Sequence, residues 1–279
     1  MSVKIIVDST ADLMPEQKAR VQVVPLTVHF GDREYIDGVN IDHKTFYEML
    51  VESDELPSTS QATPAAFGEA YHKVAQDGDS AVVITLSHKL SGTYQSAMIA
   101  AEDYADIFVV DSATAAIGGG ILTELALQLA DSGMDARQIA RTLEEEKKNV
   151  RVVAMLDTLE YLKRGGRISK TVALAGALLN IKPVAAIEDG EIHILGKARG
   201  SRQGNNLLAQ EIEKCGGVDF TKPVLLGYTG MSDVLLQKYK EDSKHLWQDG
   251  VDNLRSTCIG SVIGTHAGPG AVAVAFFKK

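Results

Sequence analysis

At 279 residues the chain exceeds the usual single domain, and its 45% apolar content supports an ordinary folded core. A net charge of −9 argues against a general nucleic-acid binder, which needs a basic surface to neutralise phosphates. No apolar run reaches the length of a bilayer span, the N-terminus lacks a signal-peptide stretch, and Cys215 and Cys258 read as separate reduced thiols, so a cytoplasmic location is expected.

Residues 3–7 form a short apolar run that ends in Asp8-Ser9-Thr10, which predicts a strand followed by a turn. Residues 21–30 are β-branched and stop at Gly31-Asp32, predicting a second strand. Asp42 is placed to cap a helix whose inner face is Phe46, Met49 and Leu50, and Thr63-Pro64 supplies an N-cap and first-turn pair. After that pair, Phe67, Ala70, Tyr71 and Val74 fall at helical spacing. Residues 81–86 and 107–110 read as strands, with a helix after Ser91 between them and two more helices, 115–130 and 135–148, behind. This alternation predicts a parallel sheet covered on both faces. The expected organisation is an N-terminal parallel-sheet α/β domain over 1–150 and a mixed α/β domain over 151–279.

The second half begins with a strand at 150–156 and a basic glycine loop, Lys163-Arg164-Gly165-Gly166-Arg167. An almost wholly apolar helix is expected over 171–181. Asp189-Gly190 joins two strand-like runs, 183–187 and 191–195, as a hairpin turn. Helices are predicted at 201–214 and 231–247. Strands are predicted at 224–228, 259–263 and 271–277, the last two flanking Thr265-His266-Ala267-Gly268-Pro269-Gly270.

Two hydroxyl-rich triplets carry the chemistry: Thr59-Ser60-Gln61 and Ser91-Gly92-Thr93. Small hydroxyls and free N–H groups near a helix start make a seat for an anion. Neither triplet contains Lys or Arg, which suits a carboxylate held without a fixed ion pair. Ligands of open α/β sheets sit at the C-terminal edges of the strands, which places Thr10, Thr59, Ser91 and Ser112 around one crevice. No P-loop, nucleophile elbow or metal-ligand spacing occurs, which disfavours a nucleotide-binding enzyme, a serine esterase and a metalloenzyme.

Together, Asp8-Ser9-Thr10-Ala11-Asp12, Thr59-Ser60-Gln61, Ser91-Gly92-Thr93-Tyr94-Gln95-Ser96-Ala97, Val110-Asp111-Ser112, Leu162-Lys163-Arg164-Gly165-Gly166-Arg167-Ile168 and His266-Ala267-Gly268-Pro269-Gly270 resemble the DegV family, fatty-acid-binding subunits of bacterial fatty acid kinase systems. The motifs run from the first strand to the last. Ala62 and Ala267 depart from the family pattern, where proline and a hydroxyl residue are common. The resemblance implies a two-domain α/β fold holding one fatty acid, such as palmitate, stearate or oleate, in a tunnel between domains. It implies no other cofactor and no metal.

It also implies a carrier rather than a catalyst, with a separate kinase phosphorylating the bound carboxylate for phospholipid synthesis. Thr59 and Ser91 match the carboxylate-binding hydroxyls, and His266 matches a histidine at the same end. Ser60, Gly92 and Thr93 are secondary contacts. Arg167, with Arg199 or Arg202, matches basic positions tied to phosphoryl transfer or kinase docking. Ala173, Leu174, Ala177, Leu178 and Ile181 are candidates for the apolar wall. The carrier is expected to work as a monomer that meets its kinase transiently, with no membrane span but with room for transient membrane contact. Two alternatives stand beside it: a lipid esterase with Ser91 as nucleophile, His266 as base and Asp8 or Asp111 behind it, and a lipid sensor without kinase coupling.

Overall fold

A computed structural model describes residues 2–53, 55–168, 180–247 and 254–279. In the first half the elements run β1 (Val3–Asp8), α1 (Pro15–Lys18), β2 (Gln22–Val24), β3 (Thr27–Phe30), β4 (Arg33–Ile36), α2 (His43–Glu52), β5 (Ser58–Ser60), α3 (Pro64–Gln76), β6 (Ser80–Thr85), α4 (Thr93–Ala101), β7 (Ile107–Asp111), α5 (Ile117–Asp131) and α6 (Ala136–Glu146). In the second half they run β8 (Val150–Met155), α7 (Glu160–Arg164), β9 (Ile181–Glu188), β10 (Glu191–Arg199), α8 (Gly200–Lys214), β11 (Leu225–Tyr228), α9 (Val234–Asp242), β12 (Arg255–Cys258), α10 (Ser261–Ala267) and β13 (Val272–Phe277).

The expected parallel sheet is present in the order β2-β1-β6-β7. The second half forms a six-stranded mixed sheet, β10-β9-β8-β13-β11-β12, in which only β11 and β12 run parallel. Helix α5 lies between the two sheets, against β1 and β6 on one side and β8, β11 and β13 on the other. Ile117, Ile121 and Leu122 of α5 share one core with Val7 and Ile84 of the first sheet and Val152 and Ala275 of the second. Burying such side chains stabilises by roughly 1.5–3 kcal/mol each before ordering costs.

A small antiparallel sheet, β4-β3-β5, sits beside this sandwich and carries Thr59. Here the structure departs from the periodicity. The single strand expected over 21–30 is two strands, β2 and β3, serving different sheets. Pro25 lies between them and has no N–H to extend a ladder. Thr59 and Ser60, read above as hydroxyls near a helix start, sit in β5, with Val28 opposite Thr59.

The strand expected over 259–263 is also corrected. The strand ends at Cys258, and Gly260 turns the chain into α10, which places His266 on a helix rather than in a glycine loop. Short apolar runs fit either period, and here Val262 and His266 take helical spacing. The long helix expected over 231–247 stops at Asp242, where the Ser243 hydroxyl donates to Tyr239 O and a 3-10 turn, Lys244–Leu246, follows. The apolar helix expected over 171–181, with Ala173, Leu174, Ala177 and Leu178, lies outside the described residues. Ile181 itself opens β9.

Candidate functional site

Where α10, β5, the 86–91 loop and the hairpin β9–β10 converge on the six-stranded sheet, the described residues leave a cavity of about 960 Å³, counted with its opening to solvent. The sheet explains the space. Ala185, Ala154 and Ala273 stand in register across β9, β8 and β13, and all three line the cavity. A rung of three methyl groups cannot fill the gap that valines or leucines would close.

Among the described residues, the polar lining residues are Thr59, Ser60, Gln61, Ser91, Arg167 and His266; every other lining residue is Ala, Val, Leu or Ile. All of the polar ones but Ser60 cluster around one end of the cavity, joined by contacts and by short stretches of backbone. Thr59 Oγ1 and His266 Nε2 share a 2.8 Å hydrogen bond. His266 Nδ1 faces Gly165, where a Cβ would overlap the ring, so the glycine of the basic loop is what lets the imidazole in. Arg167 Nη1 donates to Gly165 O at 2.6 Å, and its Nε donates to Leu90 O at 3.2 Å. Ser91 follows Leu90. Beyond it the Gln61 amide lies against Gly92 and donates to Ser96 Oγ at 2.9 Å, which leads back along β5 to Thr59.

His266 is neutral near pH 7: burial, and then the charge of Arg167, bring its pKa down to about 4. Its Nδ1 has no hydrogen-bond partner among the described residues. With the proton on Nε2, the ring donates to Thr59 Oγ1 and leaves only a bare lone pair against Gly165. That tautomer frees the Thr59 hydroxyl proton for a ligand acceptor. Burial likewise lowers the pKa of Arg167. Although neither triplet contains a cation, Arg167 brings one into the wall of the same cavity.

The other predicted residues are distributed as follows. Ser60 borders the cavity, but its hydroxyl pairs with His29 Nε2 at 2.8 Å. Gly92 caps α4, and buried Thr93 places its Oγ1 3.0 Å from Ser91 Oγ; neither lines the cavity. Arg199, at the end of β10, and Arg202, in α8, are exposed and lie outside the cavity lining.

Thr10 and Ser112, expected at the crevice with Thr59 and Ser91, do not line it, because their hydroxyls are used locally. Thr10 donates to Asp8 Oδ1 at 2.6 Å, and Ser112 donates to Thr114 O at 3.2 Å. The first motif instead builds the frame. Asp8 Oδ2 accepts the Leu86 N–H, and Asp12 Oδ1 accepts the Gly260 N–H at 2.7 Å, fixing the start of α10. Burial raises the pKa of both carboxyls.

Sequence reasoning missed the alanine rung, Gly165 as the seat of the imidazole, and Asp12 as the anchor of α10. Only the rung had a signal: alternate alanines at 271, 273 and 275.

The geometry does not assemble an esterase relay. Ser91 Oγ meets Thr93, His266 meets Thr59, Asp111 pairs with His88, and Asp8 serves Thr10 and Leu86. Among the described residues no group of three His, Cys, Asp or Glu side chains is placed to hold a metal, and no helix is long and apolar enough to cross a membrane.

A family model described as "Uncharacterised protein, DegV family" matches residues 2–279. A DegV domain-containing protein from Caldanaerobacter subterraneus subsp. tengcongensis is 34% identical over 283 residues, covering 99% of each chain. Among solved structures, a fatty-acid-binding DegV family protein from Thermus thermophilus is 28% identical, with a TM-score of 0.88 over 100% of both chains. A stearic acid-binding protein from Eubacterium ventriosum is 27% identical, with a TM-score of 0.84 over 100% of this chain and 99% of the other. The chain belongs to the DegV family.

Proposed function

We propose that this chain binds one long-chain fatty acid, with its tail in the cavity and its carboxylate on Thr59, Ser91 and His266, and presents that carboxylate to a separate kinase for acyl-phosphate formation. One observation carries the reading: among the described residues, every polar lining residue except Ser60, whose hydroxyl turns to His29, gathers around Thr59 and Ser91, and all the remaining lining is apolar. A cavity with one polar end suits a molecule with one polar end. The fatty-acid-binding proteins from T. thermophilus and E. ventriosum, which share the fold over their full lengths, support it.

Physical chemistry divides the work between the ends. Each buried methylene yields roughly 0.8 kcal/mol, so a tail of about fourteen contributes on the order of 11 kcal/mol gross, before ordering costs. The head then needs only to fix register. Neutral hydroxyl donors hold a carboxylate more gently than a bidentate arginine, which leaves an oxygen nucleophilic enough to attack the kinase's ATP. Two donor contacts of Arg167 go to backbone carbonyls, so this side chain supplies positive field at the seat while staying fixed to its loop. Exposed Arg199 and Arg202 suit contact with the kinase. In this scheme residues 1–150 bring Thr59 and Ser91, and residues 151–279 bring His266 and the alanine floor.

Native mass spectrometry of the purified protein should find an intact co-purified fatty acid. With kinase and ATP added, Thr59→Val and Ser91→Ala should cut acyl-phosphate output about tenfold with the fold unchanged. Normal turnover in both variants would end the carboxylate assignment. Lipid binding with no acyl-phosphate in the wild type would end the kinase half.

A further inference from the structure

The Asp189-Gly190 turn closes a hairpin as expected, with both residues at positive φ; Asp189 is exposed, but Gly190 is buried. Gly190 rests on Ser87, which is 0% exposed. The Ser87 hydroxyl donates to Gly190 O at 2.7 Å, across 103 residues of chain. A Cβ on Gly190 would overlap that hydroxyl, so glycine serves both the turn and the close approach.

Ser87 also winds the loop that carries Ser91. Its Oγ accepts the Lys89 N–H at 3.2 Å, and its carbonyl accepts the N–H groups of Leu90 and Ser91 at 3.0 and 3.2 Å. Its own N–H donates to Thr114 O at 2.8 Å. Next to this contact, Lys89 Nζ lies 3.7 Å from Glu191 Oε2 on the hairpin's return strand. The same hairpin supplies Ala185, Ala186, Ile187 and Ile192 to the cavity wall.

From this geometry we infer that Ser87 and Gly190 are positioning residues for carboxylate recognition: the hairpin tip, held by the Ser87 hydroxyl, sets where Ser91 stands. The inference rests on the carboxylate seat proposed above. Ser87 touches no ligand atom in this scheme. It acts by leaving its loop a single conformation between two carbonyl anchors, Gly190 O on one side and, through Arg167, Leu90 O on the other. Freed from the tip, the loop would lower the effective concentration of the Ser91 hydroxyl at the carboxylate and leave the apolar wall in place.

The test compares ligands that share a tail. Delipidated wild type, Ser87→Ala, Gly190→Ala and the double variant are titrated with palmitic acid and with 1-hexadecanol, and the acid-to-alcohol affinity ratio is read. Ser87→Ala should lower the ratio about fivefold, the scale of one neutral hydrogen bond. Gly190→Ala should lower it similarly, because its methyl displaces the hydroxyl, and the double variant should fall no further than the larger single effect. An unchanged ratio, equal loss of both ligands, or additive single effects would overturn the positioning role. Thr59→Val, measured alongside, separates the two levels. A wild-type ratio in Thr59→Val overturns the seat itself, whereas a lowered ratio there with an unchanged one in Ser87→Ala overturns only the role of Ser87 and Gly190.

Discussion

On the face of the six-stranded sheet that meets α8 and α9, Val153, Met155, Val184, Val272, Val274 and Phe276 pack under Leu208, Ile212, Leu236, Tyr239 and Trp247. On the opposite face the same strands present Ala185, Ala154 and Ala273 to a space that none of the described residues fills. The alternation along β13 shows the contrast within one strand: large residues at 272, 274 and 276, alanines at 273 and 275. One face is built like an ordinary interior, at the density that makes folding favourable. The other gives up contacts the fold could have had. Packing is therefore full on the α8–α9 side, whereas the opposite face is shared between the α5 core and the space beside α10 that can take a guest.

Substitutions on the two faces should have opposite consequences, and the largest belongs to the full face. Phe276→Ala should cost about 3–5 kcal/mol in denaturant unfolding, because a fully buried ring leaves a void, while the folded fraction keeps its palmitate affinity. A comparable loss of affinity would mean that the faces are not independent. Ala154→Leu is the reciprocal change. Its added carbons occupy the space of about three ligand methylenes, which forfeits about 2.4 kcal/mol, or roughly 60-fold in affinity, with unfolding nearly unchanged. Retained palmitate binding in Ala154→Leu would place the tail elsewhere.

How legible these features were follows from what each depends on. Local patterns carried well. Asp42 caps α2 through Thr45 N, Thr63 caps α3 through Ala66 N, and Asp189-Gly190 closes its hairpin. Thr59, Ser91 and His266 were named from their motifs, and the fold brings all three to one cavity. Contacts across long sequence separations left no local trace. Nothing near Asp12 announces that it will anchor Gly260, and nothing near Gly165 announces that an imidazole from residue 266 will press against it. The α10 segment misled because five apolar or small residues in a row satisfy a strand as readily as a helix. Which won was decided by packing on α2, α7 and β3, which periodicity does not encode.

The polar end allows a finer comparison, between a group held uncharged and its solvated counterparts. His266 has a folded pKa of about 4 against an ordinary 6.5. Between those values the unfolded chain takes up a proton that the folded chain refuses. Wild-type stability should therefore fall relative to His266→Gln as the pH drops from 6.5 toward 4, and the two should run parallel above 6.5. The expected divergence is about 2 kcal/mol, less than the full shift would give because the ring keeps some solvent contact. The comparison must be differential, because Asp8, Asp12 and Asp37 have raised pKa values and pull the opposite way, losing stability as the pH rises. Parallel profiles throughout would show that the imidazole is not held neutral.

The smallest expected effect lies one residue from the largest polar one. Successive side chains of a strand point to opposite faces, and in β5 Thr59 turns its hydroxyl to His266 while Ser60 turns its own to His29. The Ser60–His29 pair is exposed, so water replaces either partner at little cost. Ser60→Ala should shift palmitate affinity less than twofold and stability by less than about 0.5 kcal/mol, although Ser60 borders the cavity beside Thr59. A loss in Ser60→Ala as large as in Thr59→Val would mean that both faces of β5 serve the ligand. The headgroup would then lie across the edge of the small sheet rather than inside the ring of Thr59, Ser91 and His266.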